Sequence, residues 1–100
     1  MKVVVVEDEI RIREGIEGLL EMMGPEYEFA GSASNGKAGL ELIQKEQPDI
    51  VITDIRMPDM SGLEMLEKMH KLRLATKSIV LSAYSESEYA RQAMRLGVTE

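Results

Sequence analysis

Short apolar runs and helical stripes take turns along this chain, and their strict alternation leaves few folds open. Val3 to Val6 is an unbroken β-branched run, and Ile50 to Thr53 is a second, ended by the carboxylate of Asp54. Runs this short and this apolar belong to strands buried on both faces. Tyr27 to Ala33 alternates more weakly and suits a strand nearer an edge; Ser78 to Ser82 supplies a fourth. Between them the period becomes helical. From Ile10, the residues Ile12, Ile16, Leu19, Leu20 and Met23 make one stripe, stopped by Gly24 and Pro25. Asn35 caps a helix carrying Leu40, Leu42 and Ile43, which ends before Pro48. Ser61 and Glu64 form a capping box for a helix to Leu72 bearing Leu63, Leu66 and Met69; Ser85 and Glu88 form another for a helix through Arg95, closed by Gly97. Four strand–helix units in this order demand a parallel sheet with right-handed crossovers and helices on both sides. The fold class is therefore α/β, a three-layer doubly wound parallel sheet, within one domain spanning 1–100.

Composition removes several functions. With 44% hydrophobic and 30% charged residues in 100 positions, the chain has ordinary globular make-up. No apolar run approaches the ~20 residues that cross a bilayer, and Met1, Lys2 and Val3 enter a strand without a signal-peptide pattern, so no membrane role and a cytoplasmic location are expected. A net charge of −6 argues against direct nucleic-acid binding, since no basic stripe is present to neutralise phosphates. The absence of cysteine excludes disulfides and thiolate chemistry. His70, the lone histidine, falls late in a helix and reads as a surface residue. The eight methionines sit mostly where gap-filling or surface contact is their usual work.

What remains is a set of acids. In an open parallel sheet the carboxyl ends of all strands share one rim, where ligands bind. Asp8 follows the first strand, Asp54 ends the third and Ser82 ends the fourth, so adjacency of those strands would bring them together. Ser61 already caps the helix after Asp54, which frees Asp54 from that duty. Converging carboxylates raise one another's pKa unless a cation neutralises them. An all-oxygen donor set suits Mg²⁺, and an aspartate beside Mg²⁺ is a competent nucleophile toward phosphorus. The hydroxyl of Ser82 would then donate to a phosphoryl oxygen.

Three segments now on the page carry a family likeness: Val5 to Glu9 (Val-Val-Glu-Asp-Glu), Asp49 to Glu64 (Asp-Ile-Val-Ile-Thr-Asp-Ile-Arg-Met-Pro-Asp-Met-Ser-Gly-Leu-Glu) and Val80 to Ser85 (Val-Leu-Ser-Ala-Tyr-Ser). In order and spacing the chain resembles the receiver domain of two-component response regulators, with a flavodoxin-like fold, and looks most like receivers that precede AraC-type DNA-binding domains. The resemblance implies a phosphoacceptor rather than an enzyme: Asp54 takes a phosphoryl group from the phosphohistidine of a sensor histidine kinase. It implies a Mg²⁺ site made by Asp8, Asp54, Glu7 and the backbone carbonyl of Arg56. Glu7 stands where aspartate is more usual, a longer side chain acceptable at a ligand that commonly works through water. Ser82 would be the switch hydroxyl and Tyr89 the aromatic that swings inward. The family pattern continues past Val98 into a fifth strand, a lysine that pairs with the phosphoryl group, and a fifth helix. The expectation is thus a receiver incomplete at its C-terminus, with Lys77 at the wrong rim and Lys37 poorly placed to substitute, and with reduced phosphorylation.

Rival readings are weaker. Gly31 to Lys37 fits a phosphate-loop spacing, but Ala38 replaces the hydroxyl residue that would bind Mg²⁺, and Asn35 with Gly36 is better read as a helix cap. An aspartate-nucleophile phosphatase would need a second aspartate two residues after Asp8, where Ile10 stands. The remaining alternative is a truncated or engineered receiver fragment, an α/β building block whose property is self-assembly. Either reading leaves the fourth strand and the first helix underpacked, so a homodimer or higher oligomer joined there is expected.

Overall fold

The computed structural model describes residues 1–55, 57 and 60–81. Along them run β1 (Lys2–Val6), α1 (Ile10–Met22), β2 (Glu28–Ala33), α2 (Gly36–Glu46), β3 (Ile50–Asp54), α3 (Gly62–Lys71) and β4 (Lys77–Leu81). The fourth helix expected from Ser85 to Arg95 lies outside the described residues. The helix boundaries follow local chemistry. Gly24, with φ +106°, follows the end of α1, in a conformation that glycine adopts without Cβ strain. Asn35 accepts from the Ala38 amide at 2.8 Å and opens α2. Ser61 accepts from the Glu64 amide at 3.1 Å and opens α3, while the Glu64 carboxylate returns to the Ser61 hydroxyl at 3.5 Å. This closes the box on the side chain of the cap rather than on its amide.

The strands form one parallel sheet in the order β2-β1-β3-β4. β2 takes an edge, as its weak alternation predicts. Gly31, with φ +148°, belongs to β2 where its register with β1 slips between Val3 and Val4. A bulge of this kind bends the strand and disturbs its ladder.

Both faces of β1 are covered, and Val3 to Val6 are at most 1% exposed. Val4 and Val6 pack with Ala33, Ile43, Val51, Met65, Leu66 and Met69 beneath α2 and α3. Val3 and Val5 meet Leu20, with Ile16, Tyr27, Phe29, Ile50 and Ile52 around them, beneath α1. The sequence underrated Met65, which is fully buried at the centre of the first cluster. The α1 stripe is covered on one side only, as the expected underpacking of that helix requires. Leu20 is buried and Ile16 half-buried, but Ile12, Leu19 and Met23 are 44%, 60% and 53% exposed. One line of that stripe meets the sheet, and the other lies to its side.

Candidate functional site

The register places the carboxyl ends of the central strands level. Val6 pairs with Ala33 on one side and with Thr53 on the other, and Asp54 pairs with Leu81. Glu7 extends the ladder one step, its amide donating to the Ala33 carbonyl at 2.9 Å. Asp8 follows at the exposed surface, and Asp54 projects from the end of β3. The result is a cluster in which one carboxylate oxygen from each of Glu7, Asp8 and Asp54 lies within 4.8 Å of the others. These are the acids singled out from the sequence, brought together by strand adjacency.

Their environments differ. Glu7 is 3% exposed, Asp54 is half-buried and Asp8 is open to solvent. Burial pushes the Glu7 carboxyl up to about 7, helped by the negative charge of Asp54 and to a lesser degree of Asp8. The Glu9 amide, donating to Glu7 Oε1 at 3.4 Å, works against that rise. Asp54 Oδ1 accepts the amide of Ile55 at 2.7 Å, which fixes the carboxylate plane at the strand end. Oxygen donors of high charge, close together and partly dehydrated, fit a hard divalent cation. A cation would offset both the burial and the neighbouring charges that raise the Glu7 carboxyl.

Close backbone approaches frame this cluster, and sequence reading did not foresee them. The Gly62 amide donates to the Ile55 carbonyl at 2.7 Å, and a Cβ at Gly62 would collide with the Asp54 carbonyl oxygen. The Gly36 amide donates to the Met60 carbonyl at 3.0 Å, and a Cβ there would collide with that same carbonyl. The first residue of α2 is thereby tied to the segment between Asp54 and α3. Its amide is engaged, so it cannot serve a phosphate loop. The available signal was glycine directly after a cap residue at both helices, where a better helix former would otherwise stand. Lys77 pairs with Ile50 at the opposite rim, as expected. The carbonyl of Arg56 and the side chains of Ser82 and Tyr89 lie outside the described residues.

A parallel sheet in this order with an acidic triad on its carboxyl rim invites comparison with known proteins. The sequence pattern of the response regulator receiver domain matches residues 3–100. The chain belongs to the response regulator receiver family. Among the relatives of this receiver, the transcriptional regulatory protein YesN of Bacillus subtilis is 40% identical over 97% of the chain, which spans 26% of that relative. The nitrate/nitrite response regulator protein NarL of Escherichia coli is 33% identical over 95% of the chain, which spans 44% of it. The chain thus spans less than half the length of these relatives. Among solved structures, a LuxR-family DNA-binding response regulator from Staphylococcus aureus superposes with a TM-score of 0.91 at 30% identity, covering 97% of this receiver and 80% of that chain. The flavodoxin-like α/β fold is thereby established. Receiver domains are signalling modules, and no helix among the described residues is long and apolar enough to cross a membrane.

Proposed function

We propose that this receiver accepts a phosphoryl group on Asp54 from the phosphohistidine of a sensor histidine kinase and passes the change to an output domain. The observation that carries the reading is the meeting of Glu7, Asp8 and Asp54 within 4.8 Å at the carboxyl rim of a receiver fold. An oxygen of the Asp54 carboxylate attacks phosphorus. The P–N bond to histidine breaks as the acyl phosphate P–O bond forms, and the departing imidazole takes a proton from water. The Ile55 amide orients the nucleophile by holding Asp54 Oδ1. Glu7 and Asp8, with the Arg56 carbonyl, would hold Mg²⁺ beside it. That ion supplies neutralisation of the charge on the transferring group, the main requirement of phosphoryl transfer. Ser82 then donates to a phosphoryl oxygen and Tyr89 follows it inward.

The names of the relatives support transcriptional control as the output; an AraC-type DNA-binding domain as its form rests on the sequence resemblance alone. The family relationship favours this switch over a self-assembling building block. Self-association remains part of the reading, through β4 or α1, where apolar side chains are exposed.

Titration with Mg²⁺ followed by amide shifts tests the metal site. Saturable shifts at Glu7, Asp8 and Asp54, lost in Asp8→Asn, are expected. Identical titrations for the two proteins would show that these acids do not bind the ion.

A further inference from the structure

Arg13 stands in the second turn of α1, and nothing in its sequence setting separates it from the other charged residues of that helix. Its place in the fold does. Nη1 donates to the backbone carbonyl of Glu7 at 2.8 Å, while the Arg13 amide makes the ordinary helical bond to the Glu9 carbonyl at 3.0 Å. One half-buried side chain therefore spans the Glu7–Asp8–Glu9 connection, from the strand end to the helix that follows. That connection carries two of the three clustered acids. Among the described residues its other fastenings are slight: the Ala33 carbonyl holds the Glu7 amide at 2.9 Å, and the Glu9 amide reaches Glu7 Oε1 only at 3.4 Å. A hydrogen bond from a guanidinium is stronger than one between neutral groups. Arg13 also lines an open cleft of about 500 Å³ with Ser32, Ser34, Glu41 and Lys45, so shortening it leaves no sealed void in the core.

We infer that Arg13 is a positioning residue for the metal-binding acids, its guanidinium fixing the Glu7 carbonyl and through it the placement of the Glu7 and Asp8 carboxylates. The inference rests on the reading of the acidic cluster as a Mg²⁺ site. Two physical effects of removing Arg13 have opposite signs. As a plain positive charge, Arg13 repels a cation, and its loss would tighten Mg²⁺ binding. As a support of the ligands, its loss weakens binding, in the way that outer partners of metal ligands do.

Mg²⁺ titrations at constant ionic strength on the 100-residue chain decide between them. Arg13→Met is expected to bind Mg²⁺ about tenfold more weakly, and Arg13→Lys, which keeps a long cationic donor, to recover most of the loss. Without metal, the amide hydrogens of Asp8 and Glu9 should exchange faster in Arg13→Met than in the parent. Should the methionine variant not fold, Arg13→Gln, whose donor is too short to reach the carbonyl, is expected to show the same weakening. Unchanged or tighter Mg²⁺ binding in the folded variant overturns the inference while Asp8→Asn still abolishes binding. If Asp8→Asn leaves the affinity unchanged, the metal-site reading itself fails, and the role of Arg13 with it.

Discussion

Glu7 is 3% exposed and faces two aspartates, and burial first, then those charges, raise its carboxyl from 4.5 to about 7. The folded metal-free protein therefore keeps a proton that the unfolded chain has already lost between those values. Stability from this group is complete below pH 4.5 and is lost as pH rises to about 7. The loss is on the order of 3–4 kcal/mol by the free energy per pKa unit. Thermal unfolding without metal should show the parent losing more stability between pH 5 and 8 than Glu7→Gln does. Parallel pH profiles for the two would mean that Glu7 titrates normally. Because the cation displaces the same proton, Mg²⁺ affinity should rise through this range and proton uptake from the ion-binding reaction should be negative, that is, protons are released. Calorimetry in two buffers of different ionisation enthalpy measures that release.

α2 and α3 begin at capped, glycine-started turns, and that of α3 also lies against the backbone of Asp54, so that capping and close approach separate by mutation. Ser61→Ala removes a cap and should cost about 1 kcal/mol in denaturant unfolding. Gly62→Ala should cost more, although alanine is the better helix former, because its Cβ meets the Asp54 carbonyl oxygen and the strand end must shift. A neutral or stabilising Gly62→Ala would contradict the close approach. Much at this scale was legible in the sequence. Strand runs, helix stripes and both caps were read from period and residue type, because those signals are local. Met65 was underrated because burial depends on which neighbour arrives, and periodicity reports a face without reporting its cover. Gly36, Gly62 and Arg13 were missed for the same reason: each acts on backbone carbonyls brought close only by the fold. Asp8 and Asp54 were legible as strand-end acids that adjacent strands would bring together, whereas Glu7 came from the family resemblance. Ser82, Tyr89 and the Arg56 carbonyl remain proposals from resemblance.

At the scale of the molecule, the α1 side of the sheet is unevenly covered by the described residues. Register places Ile52, Ile79 and Asp54, Leu81 in neighbouring pairs on that side. Leu81 is 41% exposed, and Leu19 and Met23 on α1 are exposed too. Among the described residues nothing pairs with the outer edge of β4. Burying one leucine-sized side chain is worth ~1.5–3 kcal/mol, so a two-fold contact that covers several such groups should hold the 100-residue chain as a dimer or larger assembly. Sedimentation across a dilution series should reveal the association, and a stable monomer at micromolar concentration would rule it out. The central claim concerns a single atom group, the Asp54 carboxylate, acting with a divalent ion. Intact-mass analysis after incubation with acetyl phosphate and Mg²⁺ tests it most directly. The account predicts a gain of one phosphoryl group that is absent in Asp54→Asn and absent when the ion is chelated. A gain that persists in Asp54→Asn, or no gain in the parent with Mg²⁺ in excess, would contradict it.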